Sequence, residues 1–175
     1  MTEPLLSVVV PARNEDGNLR PLLDEIVVAL RGVLAFEIVV VDDASTDGSL
    51  ARLQAARADI PELRVLAHDR PAGQSAAVRA GVKAARAPWI ATLDGDGQND
   101  PADLPKLVAT RDAGDPQVKL YAGWRTVSVP VNHRARGSGA SKYTNLGRAL
   151  VGERDLMGVA WLIRRSSRPT VRELE

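Results

Sequence analysis

Cysteine is absent from the 175 residues, which excludes disulfides and thiolate metal sites. Neither sign of charge dominates: 23 Lys and Arg stand against 22 Asp and Glu, a net charge of +1. Nothing global therefore points to nucleic acid, and any charged partner has to be met locally. The start, Met1-Thr2-Glu3-Pro4, lacks the basic residues and long apolar stretch of a secretory leader and predicts a cytoplasmic location. The apolar run Leu156 to Ile163 falls well short of the roughly 20 residues that span a bilayer. A dinucleotide-binding dehydrogenase is disfavoured, because the first apolar run leads into Pro11-Ala12-Arg13-Asn14-Glu15 and not into a Gly-x-Gly-x-x-Gly turn. The length suits one domain with a sizeable core.

What is present is an alternation of short apolar runs with helical patterns. Leu5 to Val10 has strand length, and Leu19, Leu22, Leu23, Ile26, Val27 and Leu30 then recur at helical spacing. Phe36 to Val41, rich in β-branched residues and apolar on both faces, reads as a buried parallel strand. Ser45 or Asp47 can cap a helix carrying Leu50 and Leu53. Strand Leu63 to Ala67, helix Gln74 to Ala85 and strand Trp89 to Leu93 follow, then a helix opened by Asp100-Pro101 and a strand from Val118 to Ala122. Strand, helix, strand order with short links predicts an α/β fold: a mostly parallel sheet with helices on both faces.

In such sheets ligands bind beyond the carboxyl ends of the strands. Here those ends carry Pro11 to Glu15, Asp42-Asp43-Ala44-Ser45, His68-Asp69-Arg70 and Asp94-Gly95-Asp96. Four polar strand ends on one edge are poorly explained by loop composition and predict a ligand site. Within Asp94-Gly95-Asp96-Gly97-Gln98, two carboxylates one residue apart and a nearby amide suit a hard divalent cation, Mg²⁺ or Mn²⁺. Such a cation completes its shell with phosphate oxygens and water, so a diphosphate substrate fits. A solvated Asp/Gly turn is the other reading of these residues.

Five ordered motifs carry a resemblance: Val8-Val9-Val10-Pro11-Ala12-Arg13-Asn14-Glu15, Val39 to Asp47, Gly73-Gln74-Ser75-Ala76-Ala77, Asp94 to Gln98, and Val131-Asn132-His133-Arg134. The chain resembles family 2 glycosyltransferases of the GT-A type, in the branch that transfers hexoses to dolichyl or polyprenyl phosphate. The resemblance implies a Rossmann-like nucleotide-diphospho-sugar transferase domain over residues 1–143, a GDP- or UDP-sugar donor and a polyprenyl-phosphate acceptor. It also assigns roles. Pro11, Ala12, Arg13, Glu15, Asp43, Gln74, Asp94 and Gly95 would bind the nucleotide, with Asp43 accepting a hydrogen bond from the base. Asp94, Asp96 and Gln98 would hold the metal, and Asp96 and Arg125 would be catalytic. Arg125, Arg134, Ser141 and Lys142 would meet the diphosphate or the acceptor phosphate. Asp42 reads equally as a turn or capping residue, and His133 as a structural histidine. A lipid phosphate is already anionic near neutral pH, so positioning should dominate, giving in-line displacement with inversion and no covalent enzyme intermediate.

The chain departs from the family after Arg125. The segment Val127 to Tyr143 resembles a late motif that relatives place several dozen residues further on, and an internal deletion in the acceptor region explains the shortening. Residues 144–175 then form an amphipathic tail in which Trp161 and Arg164-Arg165 suit an anionic surface, predicting a peripheral place at the cytoplasmic face of a membrane. Two other functions stay open: a nucleotide-sugar-binding remnant without turnover, and a soluble glycosyltransferase with a non-lipid acceptor.

Overall fold

The computed structural model describes residues 3–112, 119–121, 124–126, 132, 134 and 170–174. Its centre is a five-stranded sheet in the order β4-β1-β2-β3-β7, with β1 (Leu6–Ala12), β2 (Phe36–Asp42), β3 (Leu63–His68), β4 (Trp89–Thr92) and β7 (Val171–Glu173). The first four strands run parallel. The helices between them are α1 (Asp16–Leu30), α2 (Ser49–Ala56) and α3 (Gln74–Ala84); a 3-10 turn at Pro101–Asp103 leads into α4 (Leu104–Asp112). Strands β5 (Lys119–Tyr121) and β6 (Trp124–Thr126) form a separate antiparallel pair.

Alternation along the strands explains the layers. Val8, Val10, Ile38, Val40 and Val65 face the larger core with Leu19, Leu23 and Ile26 of α1, Leu53 of α2 and Leu104 of α4. Val9, Val39, Val41 and Leu66 point the other way and pack on Ala77, Ala80 and Ala84 of α3. Small residues on α3 let it lie close to the sheet, and the expected two-sided cover is present.

The connections run outward from β1 to β3 on the α1/α2 face, then return through α3 on the opposite face to β4, on the other side of β1. The order therefore reverses between β1 and β4. That reversal leaves a crevice at the carboxyl ends of the two strands, where α/β sheets bind ligands.

Three expectations change in detail. β1 and β2 continue to Ala12 and Asp42, carrying the strand geometry to the polar residues. The cap position of α2 is taken by Gly48, without a side-chain cap bond, and not by Ser45 or Asp47; Asp47 Oδ1, one residue earlier, accepts from the Ser49 amide at 2.9 Å, while the Ser45 hydroxyl accepts from the Asn14 amide at 3.0 Å. Within the expected C-terminal tail, Val171–Glu173 joins the sheet as an antiparallel edge strand on β3. Three contacts hold it there: Leu174 N–H donates to the Val65 carbonyl at 3.0 Å, Leu174 packs against the core, and Glu173 pairs with Arg64 at 2.7 Å. Residues 144–169, where the interfacial segment was expected, lie outside the described residues, as do most of those near the expected deletion. No helix among the described residues is long and apolar enough to cross a membrane.

Candidate active site

The loops after β1 and β2 are laced to each other. Thr46 N–H donates to Asn14 Oδ1 at 2.8 Å, and Glu15 N–H donates to the Ser49 hydroxyl at 2.9 Å. Asn14 and Ala44 both hold left-handed backbone, at φ 57° and 53°. Asn tolerates that conformation, whereas Ala has no local compensation for it. The strained turn at Ala44 follows directly on Asp43.

Asp42 and Asp43 divide their work. Asp42 Oδ2 accepts from the Ser45 amide at 3.1 Å, closing the turn, in line with the turn reading of that residue. Asp43 is buried and accepts three hydrogen bonds. Oδ1 receives His68 Nδ1 at 2.7 Å and the Ala72 amide at 2.8 Å, and Oδ2 receives the Gly73 amide at 2.8 Å. Burial alone would raise its carboxyl pKa, but these donors outweigh burial and hold it below the ordinary carboxylate value. Gly73, at φ 93°, turns the chain into α3 with a conformation open to glycine.

The third loop, after β4, is closed by Asn99, whose Oδ1 accepts from the Asp94 amide at 3.0 Å. The Gln98 amide donates to Asp96 Oδ1 at 3.1 Å. Gly95 lies against the end of β1, where a Cβ would stand 2.9 Å from the Pro11 carbonyl oxygen. Any larger residue there would push the acidic loop away from the sheet. Across the gap, Gln74 Nε2 donates to Asp94 Oδ1 at 2.7 Å, joining the start of α3 to this loop.

These loops enclose a cleft of about 330 Å³ lined by Pro11, Ala12, Arg13, Glu15, Asp43, Gly73, Gln74, Ala77, Asp94, Gly95 and Asp96. All eight residues expected to bind a nucleotide line it, together with Asp96. Asp94 and Asp96 both line the cleft, and carboxylates are the side chains that a hard divalent cation takes as ligands. Among the described residues no three His, Cys, Asp or Glu side chains gather to hold one by themselves. Two carboxylates opening on a cleft suit a hard cation that takes its remaining ligands from water and phosphate.

Other expected residues fall elsewhere. Gln98 does not line the cleft; its amide supports Asp96 and its carbonyl accepts from Arg134 N–H at 2.8 Å. Arg134 reaches Glu25 of α1 at 2.6 Å and also pairs with Asp100. It borders a different cavity, of about 310 Å³, with Gly17, Asn18, Pro21, Leu22, Glu25 and Gly97. Arg125 lies on β6, its backbone in register with Leu120. Ser141, Lys142 and His133 lie outside the described residues. Gly73 and Ala77 line the cleft without having been singled out for it, although both belong to the quoted Gly73 to Ala77 motif. Of the four polar strand ends, His68-Asp69-Arg70 does not line the cleft; His68 reaches it only through its bond to Asp43, which depends on strand register, and Asn99 acts within its own loop through the Asp94 amide.

Residues 7–169 match the family described as glycosyl transferase family 2. The chain is 40% identical over 123 residues to the dodecaprenyl-phosphate galacturonate synthase of Rhizobium johnstonii, covering 69% of this chain and 36% of that protein. It is 43% identical over 112 residues to the undecaprenyl-phosphate 4-deoxy-4-formamido-L-arabinose transferase of Pseudomonas fluorescens, covering 62% and 33%. Among solved structures, the mannosyltransferase PcManGT of Pyrobaculum calidifontis, in complex with GDP-Man and Mn²⁺, superposes with a TM-score of 0.56 at 27% identity over 67% of this chain and 34% of that one. The chain spans about a third of the length of these curated relatives. Its parallel sheet is that of the GT-A fold. With the match running from the first strand through the acidic loop and beyond, this chain belongs to glycosyl transferase family 2.

Proposed function

We propose that the cleft binds a GDP- or UDP-sugar together with Mg²⁺ or Mn²⁺, and that the protein passes the sugar to a polyprenyl phosphate at the cytoplasmic face of a membrane. The observation that carries the reading is the convergence of Asp43, Asp94 and Asp96 on one cleft at the reversal of strand order. Two relatives named for transfer to dodecaprenyl or undecaprenyl phosphate, and a structural neighbour bound to GDP-Man and Mn²⁺, agree with it in chemistry.

Each side chain then has a physical task. Asp43 keeps one acceptor position on Oδ2 for an N–H of the base, beyond the Gly73 bond it already makes. Pro11, Ala12, Arg13 and Glu15 form the wall beside the base and ribose. Asp94 and Asp96 hold the cation, oriented by Gln74 and by the Gln98 amide. When bound, the cation neutralises charge gathering on the departing nucleoside diphosphate. Arg125 is assigned to the diphosphate as a further cation. The acceptor phosphate brings its own negative oxygen, so no protein nucleophile is required, and transfer inverts the sugar carbon in one displacement.

The test is a set of nucleotide-sugars offered with polyprenyl phosphate and Mn²⁺, reading release of nucleoside diphosphate. Release that depends on both lipid phosphate and metal is the expected outcome. Binding of nucleotide without release in any pairing would contradict transfer and leave a binding domain.

A further inference from the structure

His68 is the last residue of β3, one strand away from Asp43, and strand register brings the two together: Asp42 pairs with Ala67, so Asp43 and His68 emerge side by side. The imidazole is fully buried. Because a carboxylate only accepts, the 2.7 Å contact means that His68 Nδ1 carries the proton and donates it. Nε2 has no hydrogen-bond partner among the described residues. A buried ring with one nitrogen unpaired is a costly way to fill a core position. The cost is explained by what the other nitrogen does.

Asp43 Oδ1 is saturated by two donors, His68 Nδ1 and the Ala72 amide. Oδ2 has one, the Gly73 amide. The two amides belong to a single turn and grip the carboxylate from one side of the chain; His68 is the donor that comes from a different strand. Removing it would leave the carboxylate tied to that turn alone and free to swing with it. Resting on the reading of the cleft as a nucleotide site, we infer that His68 is a positioning residue for nucleotide recognition: its Nδ1–H fixes the Asp43 carboxylate so that the open acceptor position of Oδ2 is held ready for the base.

The proposal separates the base end of the site from the phosphate end. Asp94 and Asp96 follow β4, which β1 and β2 separate from His68 at the end of β3, so pyrophosphate should not sense its replacement. Calorimetry on the full chain with UDP, GDP and inorganic pyrophosphate, each with Mg²⁺, reads both ends. His68→Leu keeps bulk and removes the donor; His68→Asn is smaller but places an amide N–H where Nδ1–H stood. The expected result is about a 10-fold loss of affinity for the preferred nucleotide in His68→Leu, the size of one bond to a charged group. His68→Asn should stay within about 3-fold of the unaltered protein on the same scale, and pyrophosphate affinity should be unchanged in both. A role in packing alone predicts the reverse order, since Asn leaves the larger void. The proposal is overturned if His68→Leu binds nucleotide as well as the unaltered protein, if folded His68→Asn loses as much as Leu does, or if pyrophosphate weakens in step. Should His68→Leu not fold, His68→Gln takes its place: its amide reaches the Nε2 position and not that of Nδ1, so it should lose about 10-fold, and full affinity in it would overturn the proposal. An unaltered protein that binds pyrophosphate and neither nucleotide would instead overturn the nucleotide reading itself.

Discussion

The two ends of the central sheet each bury a carboxylate that accepts three hydrogen bonds, and they use it in opposite ways. At the carboxyl end Asp43 is held by a histidine and two amides and lines an open cleft. At the amino end Glu37 is held by the Ser7 hydroxyl and the Arg86 amide, both at 2.6 Å, and by Arg64 at 2.7 Å. Arg64 also donates to the Ala84 carbonyl and pairs with Glu173, so this cluster ties β1, β2, β3, the end of α3 and β7 together. Every Glu37 donor belongs to the protein's own scaffold. Asp43 keeps acceptor capacity beside a cavity. Identical chemistry thus serves as a lock at one end and as a receptor at the other, the difference being whether a lone pair is left facing solvent-filled space.

The comparison makes a double separation that substitutions can break. Asp96→Asn should lower nucleoside diphosphate release by about 1000-fold, as expected when charge on a leaving group loses its stabiliser, with the thermal midpoint nearly unchanged. Glu37→Ala should do the reverse: it leaves the Ser7 hydroxyl and the Arg86 amide without their acceptor and Arg64, 15% exposed, with Glu173 as its remaining carboxylate, and should cost about 3 kcal/mol of stability, while the remaining folded protein binds nucleotide normally. Urea unfolding alongside calorimetry reads both. If Glu37→Ala weakened nucleotide binding at full occupancy of the folded state, the two ends would not be independent.

Acid should expose the resemblance between them. Hydrogen bonds hold both Glu37 and Asp43 below their ordinary carboxyl values against the opposing effect of burial. A depressed folded pKa contributes stability that is complete above the unfolded value, about 4, and is lost as pH falls through the folded one. Urea midpoints should therefore hold from pH 7 to about 5 and decline below about 4; Glu37→Gln should make the decline shallower. A midpoint that rises on acidification would contradict both assignments. The smallest expected effect lies at Ala44, whose left-handed backbone costs more than the added freedom of glycine: Ala44→Gly should raise stability by about 0.5 kcal/mol, measured by the same unfolding.

Legibility in the sequence followed the same division. Strand ends at Pro11, Asp42 and Asp94 could be read because apolar runs stop abruptly at polar residues, and ordered motifs gave the cleft residues roles. The lock could not. Phe36 to Val41 reads as apolar on both faces, and Glu37 interrupts it without a nearby cation in the chain; Arg64 is 27 positions away in the chain and Glu173 a further 109. His68 was visible as a polar strand end, but its link to Asp43 depends on the register of β2 against β3. The edge strand at Val171 was hidden for the same reason, since three residues carry no periodicity and its pairing is set by the open side of β3. Arg134 shows the converse: a cation expected at a phosphate is occupied by Glu25 and Asp100, neighbours that only folding supplies.

The most direct measurement of the central claim is nucleoside diphosphate binding to the unaltered chain, by calorimetry, with Mn²⁺ and with chelator. If Asp94 and Asp96 hold a cation against the diphosphate while Asp43 reads the base, UDP or GDP should bind with metal, weaken at least about 10-fold without it, and fail to recover with metal in Asp94→Asn. Equal affinity with and without metal would contradict the account.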